Sequence, residues 1–514
     1  MKRIGFVLIL SMLVFCGCSK TDELEKNAVR IDLSDDGISV AGKPAETDAS
    51  NEVYVAKDIV YYEEGKDFTY GEGTEKDSHS VEEANAHTVV HIAKPGRYVL
   101  SGKLSLGQIA VDLGEDAEKD PEAVVTLILK DVDITCKVAP AIIFYNVYEC
   151  CSSDEAKATK DVDTSKAGAN VVIADGTENN ISGSYVEKIY KSYELNEDGT
   201  EVIDSKKLHK YDGAFYSKKT MNINGGNKGN GVLNIKAENE GLDSELHLTI
   251  NGGIINITSG NDGINTNEDN VSVTTMNGGT LNILCDGSTG EGDGIDSNGW
   301  LVINGGTVVA QACSTSGDAG IDSDKGIYIN GGKVIASGNM LDHIAGGDQT
   351  YAVFSFANRQ NGHSTYTLKK LNKKVICEHA PVNAHTYLII AGDELVPGEY
   401  TFWQGDTQLT GSSMKNMQGG MPHGERPERP QGEQDEKGTP PEVPNGMERP
   451  EPPSGDRPQM PSGERPEMPE GMENMAPPDH MANNMMPNGE TSTIFTIVKG
   501  GNLFADVCPV VSTK

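Results

Sequence analysis

Acidic and amide side chains recur at one place in a repeated tetrapeptide. The series runs Gly241-Leu242-Asp243-Ser244, Gly263-Ile264-Asn265-Thr266, Gly294-Ile295-Asp296-Ser297 and Gly320-Ile321-Asp322-Ser323. Two residues beyond each ligand position stand Glu245, Asn267, Asn298 and Asp324, and just before two of the tetrapeptides stand Asp262 and Asp293. If the repeats stack, like charges lie about 4.8 Å apart and repel one another unless cations sit among them. Calcium takes about 6–8 oxygens at about 2.3–2.6 Å, so one ion can bridge oxygens on adjacent rungs. Asp243, Asp262, Asn265, Asp293, Asp296, Asp322 and Asp324 are therefore expected metal ligands, with Ca2+ as the cofactor. The competing reading is a solvated acidic edge that only blocks edge-to-edge association.

The elements that must position these residues are short strands. Asn-Gly-Gly occurs at Asn224, Asn251, Asn277, Asn304 and Asn330, in steps of 27, 26, 27 and 26 residues. Apolar residues alternate on either side of most of these corners, as in Leu248 and Ile250 before Asn251 and Ile255 and Ile257 after it. That pattern reads as strand, tight corner, strand. Asn-Gly also suits hairpins, which would give an antiparallel meander. A fixed period holding two motifs in constant order instead suits a solenoid whose coils stack on one another. The expected fold is all-β: a right-handed parallel β-helix with a C-terminal β cap and a disordered insertion.

The composition agrees. Of 514 residues 59 are Gly and only 6% are aromatic, as expected of a core built from aliphatic ladders. Lys and Arg number 43 against 77 Asp and Glu, for a formal charge of −34. A nucleic-acid partner, which requires a basic face, is excluded. Met1-Lys2-Arg3 followed by apolar Ile4 to Cys16 reads as a signal peptide, residues 1–17, too short to span a bilayer. Gly17-Cys18 resembles a lipoprotein cleavage box, which makes Cys18 the lipidation site and residues 18–50 a tether. The other seven cysteines lack a CxxC pair and read as buried free thiols. Residues 51–345 form the expected β-helix, and 346–410 with 491–514 its cap. Residues 411–490 hold 16 of the 23 Pro and 11 of the 16 Met, with no Phe, Trp, Tyr, Leu or Ile, and are expected to be a disordered insertion.

The ordered series from about residue 93 to 345 resembles the calcium-binding, carbohydrate-binding parallel β-helix proteins of anaerobic plant-cell-wall degraders. The resembling stretches are Pro95 to Gly102, Gln108 to Asp112, Leu127 to Ile134, Val172 to Asn179 and Asp212 to Lys218, followed by the Asn-Gly-Gly and Gly-Ile-Asp-Ser repeats. The family is similar in fold to family 9 polysaccharide lyases and binds cellulose and pectin-type acidic sugars. The resemblance implies calcium between coils, held at Asp243, Asp296 and Asp322. The chain departs from the family's Asp-Gly-Ile where Glu240 precedes Gly241 and Ala319 precedes Gly320. The expected function is an extracellular, membrane-anchored, monomeric polysaccharide-binding protein. A calcium-dependent lyase acting on uronic-acid polymers is the enzymatic alternative. It would need a cationic base, for which Lys325 beside Asp322 and Asp324 is best placed, with Lys218 and Lys219 as further candidates. The third alternative is a structural or adhesive surface lipoprotein. The sequence does not identify the carbohydrate-contacting residues.

Overall fold

The computed structural model describes residues 23–414 and 491–510. The expected signal peptide, Cys18 and nearly all of the expected insertion lie outside these residues. What is described is almost entirely β-structure. Its few helical turns include Val81–Ala86, started by a capping box between Ser80 and Glu83. No described helix is long and apolar enough to cross a membrane.

The strands form parallel stacks. In one, Gly213–Ser217, Glu240–Ser244, Ile264–Thr266 and Ile295–Ser297 lie side by side, after Thr88–Ile92, Gly107–Val111 and Ile142–Phe144. In the second, Met221–Gly225, His247–Ile250, Val273–Met276, Trp300–Ile303 and Gly326–Ile329 follow one another. In the third, Glu178–Gly183, Val232–Ala237, Ile254–Ser259, Thr280–Cys285, Thr307–Gln311 and Lys333–Gly338 do so. Three successive repeats, starting at Glu240, Ile264 and Ile295, thus add a strand to each stack. The Asn-Gly-Gly corners join the second stack to the third. No hairpin forms there, because the strands flanking each corner pair with the neighbouring repeats and not with each other.

Equivalent apolar positions meet in register and are removed from water together. Ile223, Ile250, Met276, Ile303 and Ile329 form one such row, each at most 2% exposed. Rows of this kind exclude water without large side chains, at roughly 25 cal/mol per Å² buried. A denser aromatic cluster lies elsewhere. Phe354, Phe356, Tyr366, Phe402, Phe495 and Phe504 share a separate core, in which the Phe354 and Phe402 rings stack 4.0 Å apart. This core belongs to mostly antiparallel strands that begin where Lys333–Gly338 pairs with His385–Ala391, with one parallel pair between Tyr351–Gln360 and Gly501–Pro509.

Two segments differ from their expected roles. Val29–Leu33, inside the expected tether, is a strand in parallel register with Tyr98 to Gly102, and Ile31 is fully buried. Its Val-Arg-Ile-Asp-Leu alternation turns one side chain in two inward. At the other end, Thr407–Met414 is a strand, so ordered pairing runs four residues into the expected insertion.

Candidate functional site

Gly241 is the second residue of the strand Glu240–Ser244, at a point where the next repeat comes close. A Cβ there would lie 2.4 Å from Ile257 Cγ2 and 2.5 Å from the Gly263 carbonyl oxygen. The close approach places the flanking acids in two columns. Asp243 stands in register with Tyr216 on one side and Asn265, then Asp296, on the other. Asp322 continues this line, its N–H donating to the Ile295 carbonyl at 2.7 Å. Three residues upstream, Glu240, Asp262 and Asp293 form the second column. It is joined by Gly241 N–H to Asp262 O and Gly263 N–H to Asp293 O, both 3.0 Å.

One end of these columns is a buried carboxylate centre. Asp212, Glu240 and Asp243 each offer an oxygen, and these oxygens lie within 4.8 Å of one another. Asn265 Nδ2 donates to Glu240 Oε1 at 3.0 Å, and Asn267 Nδ2 donates to Asp243 Oδ1 at 2.7 Å. Glu240 Oε2, Asp243 Oδ2 and Asn265 Oδ1 remain, buried and with no hydrogen-bond partner among the described residues. Orphaned buried oxygens of this kind are costly, and convergent oxygen donors suit a hard cation. The donor set therefore fits calcium.

The electrostatics say the same. Burial, then the charges of Glu240 and Asp212, hold the Asp243 carboxyl well above the usual carboxylate range. Burial and Asp212 push Glu240 up to about 8. Burial raises Asp212 against the opposing pull of Lys210, whose Nζ is 2.8 Å from Asp212 Oδ2. Asp262 and Asp293 are likewise raised, by burial first and then by neighbouring acids. Without a cation this group of acids resists ionising together.

The expected ligands divide accordingly. Asp243 and Asn265 belong to the centre. Asp262 and Asp293 tie adjacent repeats together: Asp262 Oδ1 accepts the Asp293 N–H at 2.7 Å, and Asp293 Oδ1 accepts the Ala319 N–H at 2.5 Å. Asp296 lies one rung beyond Asn265, and its charge acts on Glu240, Asp262 and Asp293. Asp322 is one rung further, and Asp324 is exposed beside it. Asp212 and Glu240 were not among the sequence candidates. The signal for them was an acid directly before glycine, shared by Asp212, Glu240, Asp262 and Asp293. Lys325 is engaged elsewhere: its Nζ is 5.0 Å from the Trp300 ring centre and 3.8 Å from Glu155.

Beside the centre lies a cleft of about 290 Å³ lined by Lys207, Lys210, Lys218, Lys219, Tyr211 and Tyr216 together with acids such as Glu245. Tyr216, the register neighbour of Asp243, donates its hydroxyl to Glu245 at 2.5 Å. Lys207 and Lys210 come from the antiparallel hairpin Val186–Leu195 and Val202–Tyr211, which has no counterpart in the repeats. Lys219 pairs with Glu118 at 2.9 Å. Cys151 also lines the cleft, with its Sγ 3.3 Å from that of Cys150. All seven described cysteines are free, four of them buried and three, including this pair, half-exposed.

A family model described as "Carbohydrate-binding domain-containing protein" matches residues 86–352, just over half of the chain. The chain belongs to that family. The carbohydrate-binding segment includes the whole carboxylate centre and the lysine cleft, and ends where the aromatic-cored strands begin. No curated protein matches the chain. Among solved structures it is similar to a polysaccharide lyase-like protein from C. thermocellum, solved as a gadolinium derivative. Sequence identity is 19%, and the match covers 62% of this chain and 99% of that one with a TM-score of 0.33. A likeness this slight transfers no residue roles.

Proposed function

We propose that this is a calcium-containing polysaccharide-binding protein, its three parallel stacks wound as a right-handed β-helix and held outside the cell on a lipid at Cys18. The observation that carries the reading is the set of three orphaned buried oxygens, on Glu240, Asp243 and Asn265, beside a lysine-lined cleft in a carbohydrate-binding family member. Asp212, Glu240, Asp243 and Asn265 would hold the ion. When bound it supplies positive charge that lets the buried acids ionise and that attracts anionic sugar groups. The chain's own residues do the rest. Lys207, Lys218 and Lys219 draw a sugar carboxylate toward the cleft, and Tyr211 and Tyr216 give it a partly apolar wall. The strong overall negative charge opposes a free polyuronate, so acidic glycans depend on these local cations.

Glycan pull-down tests the reading. Retention on at least one of cellulose, xylan and pectin is expected in calcium, with retention on pectin lost in EDTA. No retention on any of the three would sink it. The lysines also support a second reading, β-elimination with a cleft lysine as base; among the described residues Lys218 makes no ion pair. Growth of unsaturated-uronate absorbance on polygalacturonate with calcium would establish that reading, and unchanged absorbance leaves a binder.

A further inference from the structure

The solvent face of the third stack carries a second run of amides, away from the carboxylate centre. Asp133, Asn180, Asn234, Asn256 and Asn282 occupy successive rungs of one column. Asn234 Nδ2 donates to Asn180 Oδ1 at 2.9 Å, Asn256 Nδ2 to Asn234 Oδ1 at 2.8 Å, and Asn282 Nδ2 to Asn256 Oδ1 at 2.8 Å. An amide has two N–H groups and two lone pairs. Asn256 spends one of each along the column and keeps one of each to face outward.

The flanking columns differ in character. On one side the column runs Glu178, Val232, Ile254 and Thr280; Val232 and Ile254 are half-exposed, and Glu178 accepts from Asn234 Nδ2 at 3.1 Å. On the other, Thr135, Ser182, Lys236 and Thr258 present hydroxyls and one ammonium. The strip is therefore apolar at the middle of one edge, amide along its centre line and mainly hydroxyl along the other edge. A groove of about 320 Å³ follows it. Its lining contains one acid, Asp133, and one base, Lys236, so its formal charge is zero in a chain of −34. Asp133 also pairs with Lys103 at 2.7 Å. The far end of the strip is closed. Val309, the next rung after Asn282, packs against the aromatic core, and Ile335 beyond it is buried there.

We infer that this groove, from Asp133 to Asn256, binds a neutral, extended, β-linked glycan chain lying along the amide column. The inference rests on the carbohydrate-binding reading and adds a site that requires no calcium. Rungs repeat at about 4.8 Å, comparable to the advance of one pyranose ring in an extended chain. Successive rings therefore meet successive amides. The four rungs that line the groove span about 14 Å at that spacing, room for about three rings. Ring C–H faces lie toward Val232 and Ile254, and hydroxyls toward the amides, Ser182 and Thr258. The groove offers a uronate one lysine, Lys236, against four in the cleft beside the carboxylate centre, so neutral chains suit it better.

The corner asparagines supply an internal control. Asn224, Asn251, Asn277, Asn304 and Asn330 form an equally regular ladder, with rungs of 2.8–2.9 Å, but line no part of this groove. The test is calorimetric titration of the full chain with cellotetraose, in calcium and in EDTA, with the melt of each variant recorded. Wild type is expected to bind equally in both. The double variant Ser182→Arg and Thr258→Arg, which fills the groove and leaves the amide column intact, is expected to weaken binding at least tenfold. Asn256→Ala should also weaken it, and Asn277→Ala should leave it unchanged. The inference is overturned if the double arginine variant binds like wild type, or if Asn277→Ala weakens binding as much as Asn256→Ala. Calcium-dependent pectin retention with no cellotetraose binding overturns this site alone; failure of every glycan overturns the functional reading as well.

Discussion

Calcium-free protein is expected to lose stability as pH rises from about 4.5 to about 8, the ordinary and the folded-state values for Glu240, and calcium is expected to remove that loss. Glu240, Asp243, Asp262 and Asp293 all have carboxyls raised above their usual range, by burial first and by neighbouring acids second. In the unfolded chain these groups ionise at ordinary values. Between the two values the folded protein holds more protons than the unfolded one, so stability falls with rising pH. It is fully present below the unfolded values and is lost as pH passes through the folded ones. Carboxylates with lowered values, such as Glu83 and Asp154, act in the opposite sense at more acidic pH, so the calcium-free optimum should lie on the acid side of neutrality.

A cation that binds only the folded state adds about 2.7 kcal/mol at 100 times its Kd. It also removes the proton linkage, because the acids then ionise in the folded state too. The informative variant is Glu240→Gln with Asp243→Asn. It takes away two buried charges and two cation ligands together. Without calcium at pH 8 it should melt above wild type, whereas with calcium it should melt below. That reversal separates a metal centre from an acidic edge, in which case both changes would be nearly neutral. Coincident wild-type melts with and without calcium at pH 8 would falsify the calcium assignment.

The parts of this arrangement that the sequence disclosed are those fixed by glycine. Asn-Gly-Gly and Gly-Ile-Asp-Ser recur because a repeat passes too close at those points for any side chain. Their spacing therefore reports register, and the alignment of Asp243, Asn265 and Asp296 could be read from it. Glu240 escaped because its significance depends on which oxygens are left unpaired, and that is decided by Asn265 and Asn267 on the next rung. Asp212 escaped because it stands one residue out of line: Gly213, not Asp212, is the register partner of Glu240. Lys207 and Lys210 arrive on a hairpin that interrupts the period, and no repeat pattern can place an interruption. Residues 29–33 were misjudged for a related reason. A single five-residue alternation amid polar sequence shows its partner only when Tyr98 to Gly102 is folded beside it.

Gly279→Ala is expected to destabilise the fold far more than the same change at Gly199. Both glycines have a left-handed backbone, with φ of +85° at Gly279 and +68° at Gly199. At Gly199, in the turn of the long hairpin, an added Cβ meets nothing within 4 Å. Only the conformational term applies there, about 1–2 kcal/mol. At Gly279 a Cβ would stand 2.5 Å from the Gly253 carbonyl oxygen and 2.9 Å from two further backbone atoms of the preceding corner. Backbone cannot step aside as a flexible side chain can. The strand that follows, Thr280–Cys285, would have to lift from Ile254–Ser259, and so separate Leu281 from Ile255 and Ile283 from Ile257 in the buried rows. Strain and displaced packing together come to roughly 2–6 kcal/mol. Urea midpoints of the two variants measure the difference, and equal midpoints would mean that the corners do not bear on one another. The same contact recurs at Gly306 and Gly332, where an added Cβ would stand 2.7 Å from the carbonyl oxygen of the equivalent glycine one repeat earlier. Each corner therefore sets the height of the next, and the inter-rung distance available to a cation or a sugar ring is fixed by glycine backbone rather than by the carboxylates and amides that use it.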